Sequence, residues 1–211
     1  AKCVATNESV GANGEWMIDF HTRIDMPDAI RLATLIEPLE PYFVEDLVRS
    51  ENPAMYKQLR PLVKVPIAVG EQFGDKWDFN ELAEQHLVDY SRVTIPNCGG
   101  ITEYMKIAAI CETHYVGLVP HFTGPVSTAA LVHCCSAFGG GPALMELVKG
   151  GNVNAPHLPQ HFDFRKGRLY PRPQPGLGVT FDPKGAKLVG EFTEAGRKII
   201  LNRPDGSWVN D

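Results

Sequence analysis

Three carboxylates recur at equal intervals along the chain. Asp19, Glu45 and Glu71 close the apolar runs Trp16-Met17-Ile18-Asp19, Tyr42-Phe43-Val44-Glu45 and Ile67-Ala68-Val69-Gly70-Glu71, and 45 − 19 and 71 − 45 both equal 26. An interval of that length is about one strand–helix unit, so each acid falls where a buried parallel strand emerges into a loop. Further runs continue the pattern: Ser91-Arg92-Val93-Thr94-Ile95, Val116-Gly117-Leu118-Val119-Pro120-His121 and Ala143-Leu144-Met145-Glu146-Leu147. Their stations Thr94, His121 and Glu146 follow Glu71 at 94 − 71 = 23, 121 − 94 = 27 and 146 − 121 = 25.

Amphipathic stretches of helical period lie between the stations. Ile30, Leu32, Leu35, Ile36 and Leu39 form one stripe, with Pro27 and Asp28 suited to its first turn. Ile101, Met105, Ile107, Ala108 and Cys111 form another. Alternation of this kind predicts a parallel α/β fold, and polar residues at the C-terminal ends of successive strands predict a TIM-type barrel rather than an open sheet. Six strands are counted where closure needs eight, so residues 1–150 are expected to be the C-terminal portion of such a barrel. Residues 151–211 are expected to be a proline-rich appendage, with a hairpin from Phe162 to Tyr170 turning at Lys166-Gly167 and a partly helical tail from about Gly185 to Leu201.

Composition narrows the classes of function. A net charge of −5 with 21% charged residues gives no electrostatic reason to expect a nucleic acid or an anionic membrane surface as partner. No apolar run approaches the length of a membrane span. Cys3, Cys98, Cys111, Cys134 and Cys135 show no paired metal spacing and read as reduced thiols of a cytoplasmic protein. No strand-linked Gly-x-Gly-x-x-Gly points to a dinucleotide.

Asp19, Glu45 and Glu71 on neighbouring strand ends concentrate negative charge, which calls for a cation. A hard divalent ion with oxygen ligands, Mg²⁺ above all, suits them. With these acids stand Asp19-Phe20-His21-Thr22-Arg23, Phe43-Val44-Glu45-Asp46, Val69-Gly70-Glu71, Gly99-Gly100-Ile101-Thr102-Glu103, Pro120-His121 and Glu146. Together these motifs resemble the enolase superfamily, and within it the mandelate racemase-like branch of acid-sugar dehydratases. The Asp-Phe-His and Pro-His features resemble galactonate-type members; Glu45-Asp46 and Trp77-Asp78 resemble mannonate-type ones.

The resemblance implies that Asp19, Glu45 and Glu71 hold Mg²⁺ against the carboxylate of a small-molecule sugar acid. His121 would take the α-proton and His21 would protonate the departing 3-hydroxyl, yielding a 2-keto-3-deoxy acid. Glu146 would hydrogen-bond the enediolate oxygen, or simply pair with a lysine such as Lys149. Asp46 would stand behind the ligands, and Arg23 would orient a ligand or the substrate. The other histidines are expected on the surface or in packing. The resemblance also implies a homo-oligomer and a tail that packs toward a lid domain. Thr94 stands where galactonate-type relatives carry an aspartate that supports the base. A hydroxyl cannot stabilise a charged imidazole, so His121 is expected to be a weak base, or abstraction falls to another residue. Two alternatives remain at this point: a racemase or epimerase of a 2-hydroxy acid, and a fragment that binds metal without turnover.

Overall fold

The computed structural model describes residues 1–141, 143–147, 162–185, 187–188, 190–191, 201–202 and 208–209. Lys149, His157, His161 and most of the expected C-terminal helix fall outside them. The centre is a five-stranded parallel sheet, β1 (Met17–Asp19), β2 (Phe43–Glu45), β3 (Ile67–Val69), β4 (Tyr90–Ser91) and β5 (Gly117–Leu118), paired in chain order. The first two strands are in register, with Met17 opposite Phe43 and Asp19 opposite Glu45. Equal sequence spacing has thus become lateral adjacency.

Helices α2 (Met26–Ile36), α4 (Lys76–Glu84), α5 (Ile101–Thr113) and α6 (Pro125–Ala137), with the single turn α3 (Tyr56–Leu59), lie between and after the strands. The helices and the strands' outward side chains form one core. Ala29, Ala33 and Ile36 of α2, Phe79 and Leu82 of α4, and Tyr104 and Ile107 of α5 are buried with Val44, Ile67, Val69 and Leu118. Each fully buried Leu, Ile or Phe contributes roughly 1.5–3 kcal/mol of transfer free energy. The stripe predicted on α2 is rotated from the observed one: Ala29 and Ala33 are buried, whereas Leu35 is 66% exposed. The small alanines let α2 sit close to the sheet, which turns Leu35 outward.

On the opposite side of the sheet Phe43, Ala68 and Val119 pack with Tyr42 and Tyr90. Side chains alternate along a strand. On β2, Val44 joins the helical core while Phe43 faces the other way, which puts Glu45 on the side of Phe43. A parallel sheet covered on both faces explains why the strands read as continuous apolar runs.

One expectation changes. The predicted sixth strand shrinks to one parallel bridge, Leu118 with Ala143, and a hydrogen bond from Leu144 N to Leu118 O of 2.8 Å. Among the described residues it is paired on one side only, and three glycines, Gly139 to Gly141, lead into it. The first ten residues carry a helix, α1 (Lys2–Val10), with no fully buried residue, though Cys3 and Val10 pack against the core. The hairpin is as predicted: β6 (Asp163–Arg165) pairs antiparallel with β7 (Arg168–Tyr170) around Lys166 and Gly167, both at positive φ. Its second strand packs on α6. Farther on, β8 (Leu201–Asn202) pairs antiparallel with β9 (Trp208–Val209). Among the described residues no helix is long and apolar enough to cross a membrane.

Candidate active site

The strand ends share a local device. Just beyond β1, β2 and β3 the backbone enters positive φ: 52° at His21, 54° at Thr22, 46° at Asp46 and 133° at Gly70. These kinks let the chain leave the sheet at once and aim its next side chains over the strand ends. Gly70 has a second reason to be glycine: a Cβ there would stand 2.5 Å from the Phe79 ring. Hydrogen bonds from Phe20 N to Glu45 O (2.9 Å), Thr22 N to Asp46 O (3.1 Å) and Asp46 N to Ala68 O (3.0 Å) stitch the three ends together.

Asp19, Glu45 and Asp46 each offer a carboxylate oxygen, and those oxygens lie within 4.8 Å of one another. Glu71 is buried beside them but is turned to the two predicted catalytic histidines. His21 Nδ1 lies 3.1 Å from Glu71 Oε1 and 3.1 Å from Asp19 Oδ2. That nitrogen thus has a carboxylate oxygen on either hand. On the other side His121 Nε2 stands 3.0 Å from Glu71 Oε2, a close ion pair not aligned as a hydrogen bond. His121 Nδ1 donates to Phe122 O at 2.9 Å. Both ring nitrogens of His121 therefore face acceptors, the arrangement of an imidazolium.

Sequence reasoning overlooked Arg92. It follows β4 directly and is buried. Its Nε donates to Glu45 Oε1 at 2.6 Å, its Nη1 to Val119 O at 2.7 Å, and its Nη2 to Glu146 Oε2. Phe122 N also donates to Glu146 Oε2, at 3.2 Å. Glu146 is thus anchored to Arg92, while the lysine partner considered for it lies outside the described residues. A guanidinium in the apolar run Ser91 to Ile95 was the available signal, since a buried arginine is rarely left without carboxylates.

Electrostatics follow from burial and these partners. Burial pushes the Glu45 carboxyl up to about 7, against the pull of Arg92. Asp46 is raised well above the ordinary range by burial and then by the charges of Glu45, Glu71 and Asp19, and Asp19 is raised by burial. Glu71 goes the other way: burial pushes it up, but His121, then His21 and Gln72, outweigh that and hold it low. Burial lowers His121, and Glu71 with Glu146 more than restores it, leaving a raised pKa. This bears on the expectation drawn from Thr94. The charged imidazole does have a stabilising carboxylate, supplied by Glu71 rather than by the residue at the Thr94 station.

The donor set suits a hard divalent cation. Hard oxygens dominate it, and Asp46 Oδ2 is buried without a hydrogen-bond partner among the described residues. Beside it a cleft of about 1130 Å³ runs from Asp19, Glu45 and Arg92 to Glu146 and the β6–β7 hairpin, room enough for a small polyol acid.

A family model described as enolase C-terminal domain-like matches residues 1–185. A D-mannonate dehydratase of Caulobacter sp. strain K31 is 33% identical over 213 residues, covering 98% of this chain and 51% of that protein. A D-galactonate dehydratase family member of Streptomyces bingchenggensis is 32% identical over 209 residues, covering 98% and 50%. Among solved structures, an enolase of Agrobacterium radiobacter with bound Na and L-malate superposes with a TM-score of 0.84 at 28% identity, over 99% of this chain and 56% of that one. L-talarate dehydratase of Polaromonas sp. JS666, complexed with Mg and L-glucarate, superposes with a TM-score of 0.73 at 25% identity, over 86% and 48%. The chain spans about half the length of the curated relatives it matches. With a family match running from its first residue through the hairpin and the loop beyond it, this chain belongs to the enolase C-terminal domain-like family.

Proposed function

We propose that this chain carries the reaction centre of a Mg²⁺-dependent hydro-lyase that dehydrates a sugar acid to a 2-keto-3-deoxy acid. One observation carries the reading: His21 and His121 approach the two oxygens of Glu71 from opposite sides, at 3.1 and 3.0 Å, beside a set of buried carboxylates on successive strand ends. That is a proton donor and a proton acceptor held over a cation site. The relatives named as mannonate and galactonate dehydratases support the substrate class.

Asp19, Glu45 and Glu71 would hold Mg²⁺, which would supply Lewis-acid stabilisation of the negative charge that builds on a substrate carboxylate. Everything else falls to the chain. Phe122 O fixes the His121 ring by accepting from Nδ1, so the free base presents its lone pair at Nε2 and takes the α-proton there. His21, with Nδ1 held toward Asp19 and Glu71, would as the imidazolium give the proton on its Nε2 to the 3-hydroxyl as that leaves as water, and remain neutral. The enol so formed tautomerises to the keto acid. Arg92 keeps Glu45 and Glu146 in place from below.

The test is a panel of aldonic acids incubated with the chain and Mg²⁺, with 2-keto-3-deoxy products detected as semicarbazones. Turnover lost on His21→Asn and on Glu71→Gln supports the reading. Exchange of the α-proton with solvent deuterium and no loss of water would replace it with racemisation.

A further inference from the structure

We propose that Asp46 is a fourth carboxylate of the cation site, its Oδ2 ligating the ion alongside Asp19 and Glu45. The inference rests on the metal-dependent reading above and adds a residue to it.

Four observations carry it. Successive residues of a strand point to opposite faces, so the residue after Glu45 should face the helices. The left-handed backbone at Asp46, φ 46°, instead turns it back toward its neighbour. Asp46 is 4% exposed, and its buried Oδ2 has no hydrogen-bond partner among the described residues. A purely structural buried carboxylate would be met by donors, because leaving one unpaired costs several kcal/mol. The nearest oxygen ligands, from Asp19 and Glu45, lie within 4.8 Å. Oxygens that share one hard cation at about 2.0–2.6 Å lie at most about 4–5 Å apart, so this set needs only small side-chain adjustments to close on an ion.

Backbone and neighbours make the position dependable. Asp46 N donates to Ala68 O and Asp46 O accepts from Thr22 N, so the residue is fixed at both ends to the adjoining strand and loop. Glu71 meanwhile spends both oxygens on His21 and His121. Asp46 adds an oxygen to the set beside the three acids without displacing Glu71.

The measurement is calorimetric titration of the chain with Mg²⁺ and with Mn²⁺ alone, in the absence of substrate, for wild type, Asp46→Asn and Asp46→Gly. Asparagine and glycine both tolerate the left-handed backbone, so either variant keeps the turn. Melting temperatures in EDTA report on the fold separately. The expected result is Mn²⁺ binding weakened at least about 10-fold in each variant, with the EDTA melting temperature equal to wild type or higher. Wild-type affinity in a folded variant overturns the inference and leaves the metal-dependent reading standing. Weaker binding accompanied by a lower EDTA melting temperature in both variants assigns Asp46 to the fold and likewise overturns it. A wild-type chain that binds neither ion removes both readings together.

Discussion

Arg92 Nε and Glu45 Oε1 are 2.6 Å apart, with side chains 3% and 6% exposed. The contact reaches from the end of β4 across β3 to the end of β2, and the same guanidinium also holds Val119 O and Glu146. One cation therefore links strands that are not neighbours to the segment after α6. It also offsets part of the negative charge gathered over the sheet.

Removing that cation leaves Glu45 buried without its strongest partner. Arg92→Met is expected to destabilise the chain by about 3–5 kcal/mol, the cost typical of breaking a buried pair from one side. Adding Glu45→Gln to the same chain should return part of that loss, because no unpaired charge then remains. Urea unfolding in EDTA measures both. A single variant within about 1 kcal/mol of wild type would show that solvent already reaches the pair.

Without a cation, the same cluster makes the chain less stable as pH rises. Glu45 has its folded pKa raised from 4.5 to about 7, so the folded chain keeps a proton that the unfolded chain has lost. Its contribution is greatest below about pH 4.5 and declines through about pH 7, by an amount on the order of 3 kcal/mol. Asp46, raised by burial, acts in the same direction. So does His121, whose raised pKa gives stability at low pH that is lost as pH rises through its folded value. Glu71, held low, opposes them only below its ordinary range. Unfolding in EDTA should therefore give a smaller free energy at pH 8 than at pH 5, and Mg²⁺ should narrow the gap. Stability that climbs over this interval without metal would contradict the assignment.

The parallel sheet was legible because the carboxylates sit one unit apart and end their strands, a pattern that depends on local length alone. Arg92 was not. Even spacing drew attention to Thr94, at 94 − 71 = 23, whereas β4 ends at Ser91 and the residue over the site is Arg92, at 92 − 71 = 21. The strand ends three residues before the Thr94 station, which leaves Arg92 as the first side chain past its end. Asp46 was placed behind the ligands by the resemblance alone; the left-handed backbone found there has no signature in an aspartate alone.

Gly70 tests the backbone device at the strand ends. Its φ of 133° is open to few L-residues, and a Cβ would meet both the Phe79 ring and Val93 N, the latter at 3.1 Å. Gly70→Ala is expected to cost about 2–4 kcal/mol, combining backbone strain with overpacking. Because Glu71 follows directly, the loss should come with weaker Mn²⁺ binding. Gly99→Ala is the comparison, since it shares a positive φ, 82°, but meets no atom within 4 Å. Equal effects at the two positions would mean that backbone strain, not the Phe79 contact, sets the cost.

The two histidines can be told apart by when each proton moves. His21 occupies a left-handed position, φ 52°, which asparagine also accepts, so His21→Asn removes the acid without straining the turn. Loss of either general acid or general base typically costs about 10²–10⁴-fold in turnover. In His121→Asn the α-proton has no acceptor, so dehydration and exchange of that proton with solvent deuterium should fall together. In His21→Asn the α-proton still reaches His121 Nε2, and only departure of the 3-hydroxyl lacks its proton. That variant should go on exchanging the α-proton while forming little keto acid. The contact of His21 with Asp19 and Glu71 sharpens the test, since a merely structural role there would disturb metal binding instead. Mn²⁺ affinity near wild type, exchange retained and dehydration lost is the signature of the leaving-group acid. Loss of exchange in both variants alike would instead join the two imidazoles in a single step at the α-carbon, as two-base racemisation requires.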